Sequence, residues 1–176
     1  MVRESTLDVL RPLLTYKTDK LTHHSYGSVY ADILTPAFTH KALSVLEIGV
    51  LQGESLKAWA DIFPHATILG VDIEPVEIIP SNPRIRTYQT DAGDYKLMSE
   101  FRNQFVFDLV IDDGSHDIND QLAALFALWP GVKSGGYYVI EDIFSKYLPV
   151  FENMPCDLHE GSQFIIADNI AVFRKP

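Results

Sequence analysis

The stretch DLVIDDGSHD, Asp108 to Asp117, passes abruptly from a hydrophobic run into two carboxylates, a glycine, a serine and a histidine. Phe107, Leu109, Val110 and Ile111 are bulky and mostly β-branched or aromatic, the composition of a strand buried on both faces of a parallel sheet. Asp112 and Asp113 then fall at its carboxyl end, where open α/β sheets form their ligand crevice. YYVIED, Tyr137 to Asp142, repeats the pattern and ends on Glu141 and Asp142. If the two strands are neighbours, several carboxylates and His116 converge on one spot, and that much negative charge calls for a cation.

Upstream, VLEIGV (Val45 to Val50) predicts a first strand. Gly49 and Gly53 bracket a turn there, and Ser55 is the expected cap of a helix running through Trp59 and Phe63 to Pro64. Thr67 to Val71 predicts a second strand ending at Asp72, and Arg84 to Tyr88 a third ending near Asp91. Met98, Phe101 and Phe105 space a helix between Asp94 and Gln104; Leu122, Leu125, Phe126 and Trp129 space another, stopped by Pro130. Ahead of the first strand, Tyr26, Val29, Tyr30 and Ile33 have helical spacing, with Ser25 as N-cap and Pro36 as stop. A turn of helix at Thr6 to Arg11 is expected to halt at Pro12. The alternation βαβαβαβαβ implies an α/β fold, a doubly wound, mostly parallel Rossmann-like sheet. Gln163 to Ala167 and Ile170 to Lys175, joined at Asp168-Asn169, add a C-terminal antiparallel hairpin that a plain dinucleotide fold lacks.

The 176 residues, 47% of them hydrophobic, suit a single domain: an N-terminal lid or helical segment over 1–36 and a Rossmann-like core over 45–176. A net charge of −10, from 24 acids against 14 lysines and arginines, argues against nucleic-acid or anionic-membrane partners. The lone Cys156 allows no internal disulfide, and the first residues lack a basic segment followed by an apolar one, so a reducing cytoplasm is expected. No apolar run approaches the length of a membrane span.

The turn after the first strand has the spacing Glu47-x-Gly49-x-x-x-Gly53, whereas a pyrophosphate-binding loop wants a second glycine where Leu51 stands. A nucleoside cofactor without pyrophosphate fits better, S-adenosylmethionine being the common one; a plain tight turn is the competing reading. Asp72 suits ribose hydroxyls and Asp91 an adenine amino group. Glu47, Gly49, Gly53, Ser55, Asp72, Asp91 and Asp112 therefore form the candidate cofactor set. Asp113, Glu141 and Asp142 supply hard oxygen ligands for Mg²⁺ or another divalent cation. The bland alternatives are that Asp113 or Asp117 caps the next helix and that Glu141 pairs with a lysine. His116, beside the acids, is the candidate general base.

Four segments carry a resemblance: DKLTHHSYGSVY (Asp19 to Tyr30), VLEIGVLQGESLKAW (Val45 to Trp59), DLVIDDGSH (Asp108 to His116) and LWPGVKSGGYYVIED (Leu128 to Asp142). With them the chain resembles class I S-adenosylmethionine-dependent methyltransferases of the macrocin and mycinamicin type, and cephalosporin-hydroxylase-like proteins. The resemblance implies Mg²⁺ on Asp113, Glu141 and Asp142, catalysis by His116, and a lid carrying Lys20, Thr22, His24 and Tyr26. It also implies a small-molecule acceptor, with a sugar or vicinal-diol hydroxyl as the site of O-methylation. Glu54, between Gly53 and Ser55, departs from the pattern and adds a carboxylate beside the expected sulfonium. Two rival readings remain: a cofactor-binding protein without transfer activity, and a metal-dependent hydrolase or hydroxylase-like enzyme. A homo-oligomer is left open.

Overall fold

A computed structural model describes residues 4–21, 24, 26–76, 82–154 and 163–176. The expected Ser25 cap, Thr22 and Cys156 lie outside these residues. The chain begins with helices α1 (Glu4–Thr15), α2 (Gly27–Ile33) and the single turn α3 (Pro36–Thr39). Strands and helices then alternate as β1 (Ser44–Ile48), α4 (Glu54–Ile62), β2 (Thr67–Asp72), β3 (Ile85–Gln89), α5 (Tyr95–Arg102), β4 (Phe107–Asp112), α6 (Ile118–Leu128) and β5 (Val132–Ile140). The last elements are α7 (Leu148–Glu152), β6 (Gln163–Ala167) and β7 (Ile170–Arg174).

The seven strands form one sheet in the order β3-β2-β1-β4-β5-β7-β6. The first five strands pair in parallel, and β7 lies antiparallel between β5 and β6. The doubly wound sheet with its terminal hairpin is thus observed as the periodicity predicts. Side-chain alternation splits the core into two layers. Val45, Ile68, Leu109, Ile111 and Val139 pack with Leu10, Tyr30 and Trp59 of α1, α2 and α4. Leu46, Leu69, Val110, Tyr138 and Ile140 pack on the other face with Met98, Leu125 and Phe151 of α5, α6 and α7.

Two local expectations give way to packing. The α1 helix continues through Pro12 for another turn, because Leu10 and Leu13 are both buried against the core and hold it there. Gly53, at φ +76°, is the N-cap of α4, and the Ser55 hydroxyl turns instead to Glu47. The α5 helix is capped by Asp94, whose Oδ1 accepts from the amides of Lys96 and Leu97 at 2.8 and 3.0 Å. Asp94→Ala is expected to cost ~1 kcal/mol in a denaturant melt.

Candidate active site

A crevice of about 660 Å³ opens where β1, β2 and β4 end. Gly49, at φ +81°, turns the chain out of β1. A Cβ there would lie 2.7 Å from the Asp113 carbonyl carbon and on top of its oxygen, so the loop after β1 can lie against the Asp-Asp-Gly turn only with glycine. Asp72, at the end of β2, pins that loop: Oδ2 accepts from the Val50 and Leu51 amides at 2.8 and 3.1 Å, and Oδ1 from the Glu74 amide at 3.0 Å. Burial alone would raise its pKa, but the amides of Glu74, Val50, Leu51 and Ile73 together outweigh burial and hold it below the ordinary carboxylate range. The result is an ionised acceptor that lines the crevice beside the exposed apolar side chains of Leu51 and Ile73.

Asp91 lines the same crevice and fixes its own turn through the Gly93 amide at 2.9 Å. Asp112 also reaches the crevice but is 2% exposed, and burial pushes its pKa up to about 7. Its partners, the Gly114 amide and the Tyr138 hydroxyl, both stand at 3.4 Å.

Alternation along the strands sorts the remaining acids. Glu47 follows Val45 on its face of β1, while Asp113 and Glu141 continue the faces of Ile111 and Val139. Because β1, β4 and β5 are adjacent, all three carboxylates collect on the side covered by α2. Lys20 meets them there. Its Nζ lies 2.6 Å from Asp113 Oδ2, 2.7 Å from Glu141 Oε2 and 3.5 Å from Glu47 Oε1, and its side chain is 1% exposed. Burial would lower the Lys20 pKa, but Glu141, Asp113 and Glu47 outweigh it and keep the ammonium charged. Burial raises the pKa of both Glu47 and Glu141 against the pull of that ammonium. The Tyr30 hydroxyl donates to Glu141 Oε1; Ser55 Oγ and Trp59 Nε1 donate to Glu47 at 2.6 and 3.1 Å.

At the open end of the crevice, ligand atoms of Asp113, His116 and Asp142 all lie within 4.8 Å of one another. His116 and Asp142 have φ of +59° and +52°, left-handed conformations that turn both chains sharply after their strands. Asp142 Oδ1 accepts from the Tyr26 hydroxyl at 2.5 Å and lies 3.2 Å from His24 Nδ1, so Oδ2 is the oxygen that faces His116 Nε2, at 3.9 Å. Among the described residues, the buried His116 Nδ1 has no hydrogen-bond partner. Two carboxylates beside an imidazole with an unsatisfied nitrogen are a donor set that fits a small hard cation, a proton-donating ligand, or both.

The structure therefore places Asp72, Asp91, Asp112, Asp113, His116 and Asp142 on one crevice, with Gly49 and Ser55 in its wall. Glu47 and Glu141 sit behind that wall on Lys20, and Gly53 serves the start of α4. The pairing of Glu141 with a lysine and the Asp117 cap on α6, which accepts from the Asn119 amide at 2.8 Å, are both observed. Glu54 is turned to Lys57 at 2.9 Å. The role of Lys20 as common partner of three acids is absent from the motif reading. The in-step alternation of Val45/Glu47, Ile111/Asp113 and Val139/Glu141 was its one sequence signal.

Sheet order, C-terminal hairpin and strand-end crevice together define the class I methyltransferase fold. No family model matches the chain. It is 40% identical over 132 residues to the 8-demethyl-8-(2-methoxy-alpha-L-rhamnosyl)-tetracenomycin-C 3'-O-methyltransferase of Streptomyces olivaceus, covering 69% of this chain and 33% of that protein. It is also 40% identical over 123 residues to the mycinamicin VI 2''-O-methyltransferase of Micromonospora griseorubida, covering 65% of this chain and 30% of that protein. Among solved structures it superposes on the MycE methyltransferase of the mycinamycin biosynthetic pathway, in complex with Mg and SAH, with a TM-score of 0.83 and 28% identity, over 96% of this chain and 54% of the other. The chain spans about a third of the length of these curated relatives. By fold it is a class I methyltransferase domain, and by sequence it resembles the macrocin- and mycinamicin-type sugar O-methyltransferases.

Proposed function

We propose that the chain transfers the methyl group of S-adenosylmethionine to a hydroxyl of a small-molecule acceptor, a sugar or another vicinal diol, with the assistance of Mg²⁺ or another divalent cation. One observation carries this reading: the ionised Asp72 and the Asp113–His116–Asp142 group open onto a single crevice. A nucleoside at one end and a reacting hydroxyl at the other would then share one crevice. The relatives support it, being named as O-methyltransferases acting on rhamnosyl tetracenomycin and on mycinamicin VI, and the MycE complex contains Mg and SAH.

In this reading Asp72 accepts from ribose hydroxyls, Asp91 from the adenine amino group, and the loop from Gly49 to Gly53 admits the methionine part. Asp113 and Asp142 would hold the ion as they stand; Glu141, the third ligand expected from the strand ends and from the resemblance, is instead held by Lys20 and Tyr30. Held there, a divalent ion would lower the pKa of an acceptor hydroxyl. His116 takes the hydroxyl proton, and the oxygen attacks the methyl carbon in line as the sulfonium leaves as a neutral thioether. Tyr26 and His24 fix Asp142 from the lid side. The single-domain division at residues 1–36 and 45–176, a cytoplasmic location and the absence of a nucleic-acid partner belong to the same proposal. Among the described residues no helix is long and apolar enough to cross a membrane.

The test is transfer of a labelled methyl group from S-adenosylmethionine to a panel of rhamnosides and other diol glycosides, in Mg²⁺ and in EDTA. Label in a glycoside, lost in EDTA, is the expected result; cofactor binding with no transfer to any diol would make the chain a binding protein instead. Asp72→Ala removes both a ribose acceptor and the anchor of the glycine loop. It is expected to lower S-adenosylhomocysteine affinity by at least about tenfold in calorimetry, one charge-assisted hydrogen bond or more.

A further inference from the structure

Three carboxylates from adjacent strands face one ammonium that solvent does not reach. Without it, that side of the sheet would hold three acids in a low-dielectric pocket, and removing one partner of a buried pair is strongly destabilising. The ammonium is placed by structure and not by chance of a long side chain. Lys20 sits in a 3-10 turn, Asp19–Leu21, directly after Thr18, whose hydroxyl donates to the Leu13 carbonyl at 3.1 Å. Tyr30, from α2, closes the far side of Glu141. Asp113 belongs to both assemblies: its Oδ2 is bound by Lys20, and the same carboxylate joins His116 and Asp142 at the crevice.

We infer that Lys20 is a resident cation of the acidic centre: it neutralises the strand-end carboxylates so that the fold stands without a divalent ion, and by sharing Asp113 with that ion it holds the ion's affinity down. The second half rests on the metal reading proposed above; the first does not. Two cations on one carboxylate repel, so removing the lysine strengthens the field at the crevice while leaving buried charge behind it.

The experiment uses the full chain and Lys20→Met, which keeps an unbranched side chain one atom shorter and removes its charge. Thermal melts are recorded in EDTA and in millimolar Mg²⁺, and Mn²⁺ alone is titrated by electron paramagnetic resonance. The wild type is expected to melt within about 2 °C of itself in the two buffers, and Lys20→Met to fall by roughly 10 °C in EDTA and regain much of that in Mg²⁺. Mn²⁺ is expected to bind Lys20→Met at least about tenfold more tightly than wild type. A variant that melts like wild type in EDTA, or binds Mn²⁺ no more tightly, overturns the inference. If Lys20→Met is unfolded in both buffers, Lys20→Met/Glu141→Gln decides: recovery of the fold supports neutralisation, and no recovery refutes it. A wild type that binds no Mn²⁺ removes the metal reading and the shared-carboxylate half, while the melts in EDTA still judge the first half.

Discussion

His116→Asn is expected to lower the rate of the proposed methyl transfer by roughly 10²- to 10⁴-fold, the usual contribution of a positioned general base, and to leave S-adenosylhomocysteine binding as in wild type. Asparagine is the informative substitution because His116 sits at φ +59°, where asparagine is far better tolerated than alanine. The backbone therefore keeps its turn, and only the proton acceptor is lost. His116 lines the crevice at its acidic end, with Nε2 3.9 Å from Asp142 Oδ2 and Nδ1 lacking a hydrogen-bond partner among the described residues. A structural histidine in this position would be expected to spend that buried nitrogen on a protein group. Transfer rates under saturating cofactor, read together with a calorimetric titration, check the split. Equal losses of rate and of cofactor affinity would show that the substitution had disturbed the crevice and not the chemistry.

Gly49→Ala is expected to be the most damaging alanine substitution among the described glycines, costing roughly 3–5 kcal/mol through backbone strain and overlap together. The position combines φ +81° with a Cβ that would overlap the Asp113 carbonyl, so neither β1 nor β4 can give way without opening the centre of the sheet. A fall in melting temperature of about 10 °C, with loss of cofactor binding in whatever remains folded, is the expected reading. Gly135→Ala is the control. Its φ is also positive, at +77°, but nothing lies within 4 Å of the added methyl, so it bears the strain without the collision. Similar losses in the two variants would mean that strain alone accounts for Gly49.

The fold was legible because strands that end on acids repeat through the sequence, and Pro, Gly and the apolar spacing mark the helices between them. The crevice was legible for a related reason: Asp72, Asp91, Asp112 and Asp113 stand at or just beyond the carboxyl ends of β2, β3 and β4, so topology alone brings them together. What a local reading misses is which face each acid takes. Glu47 stands in the glycine-loop motif but points with Val45 into the layer under α4, where Ser55 and Trp59 bind it. Lys20, in a polar stretch without periodicity that the resemblance assigns to a lid, becomes buried only when α1 and α2 fold over the ends of β1, β4 and β5. Pro12 marks a helix end by propensity, and the burial of Leu10 and Leu13 overrides it.

The most direct test of the account is calorimetric titration of S-adenosylmethionine and S-adenosylhomocysteine into the purified chain, with Mg²⁺ and with EDTA. The account predicts one site per chain, binding in both buffers because Asp72 and the glycine loop hold the nucleoside without the ion, and loss of binding in Asp72→Ala. No binding of either molecule in either buffer would contradict it, and the Asp113–His116–Asp142 group would then belong to some other chemistry.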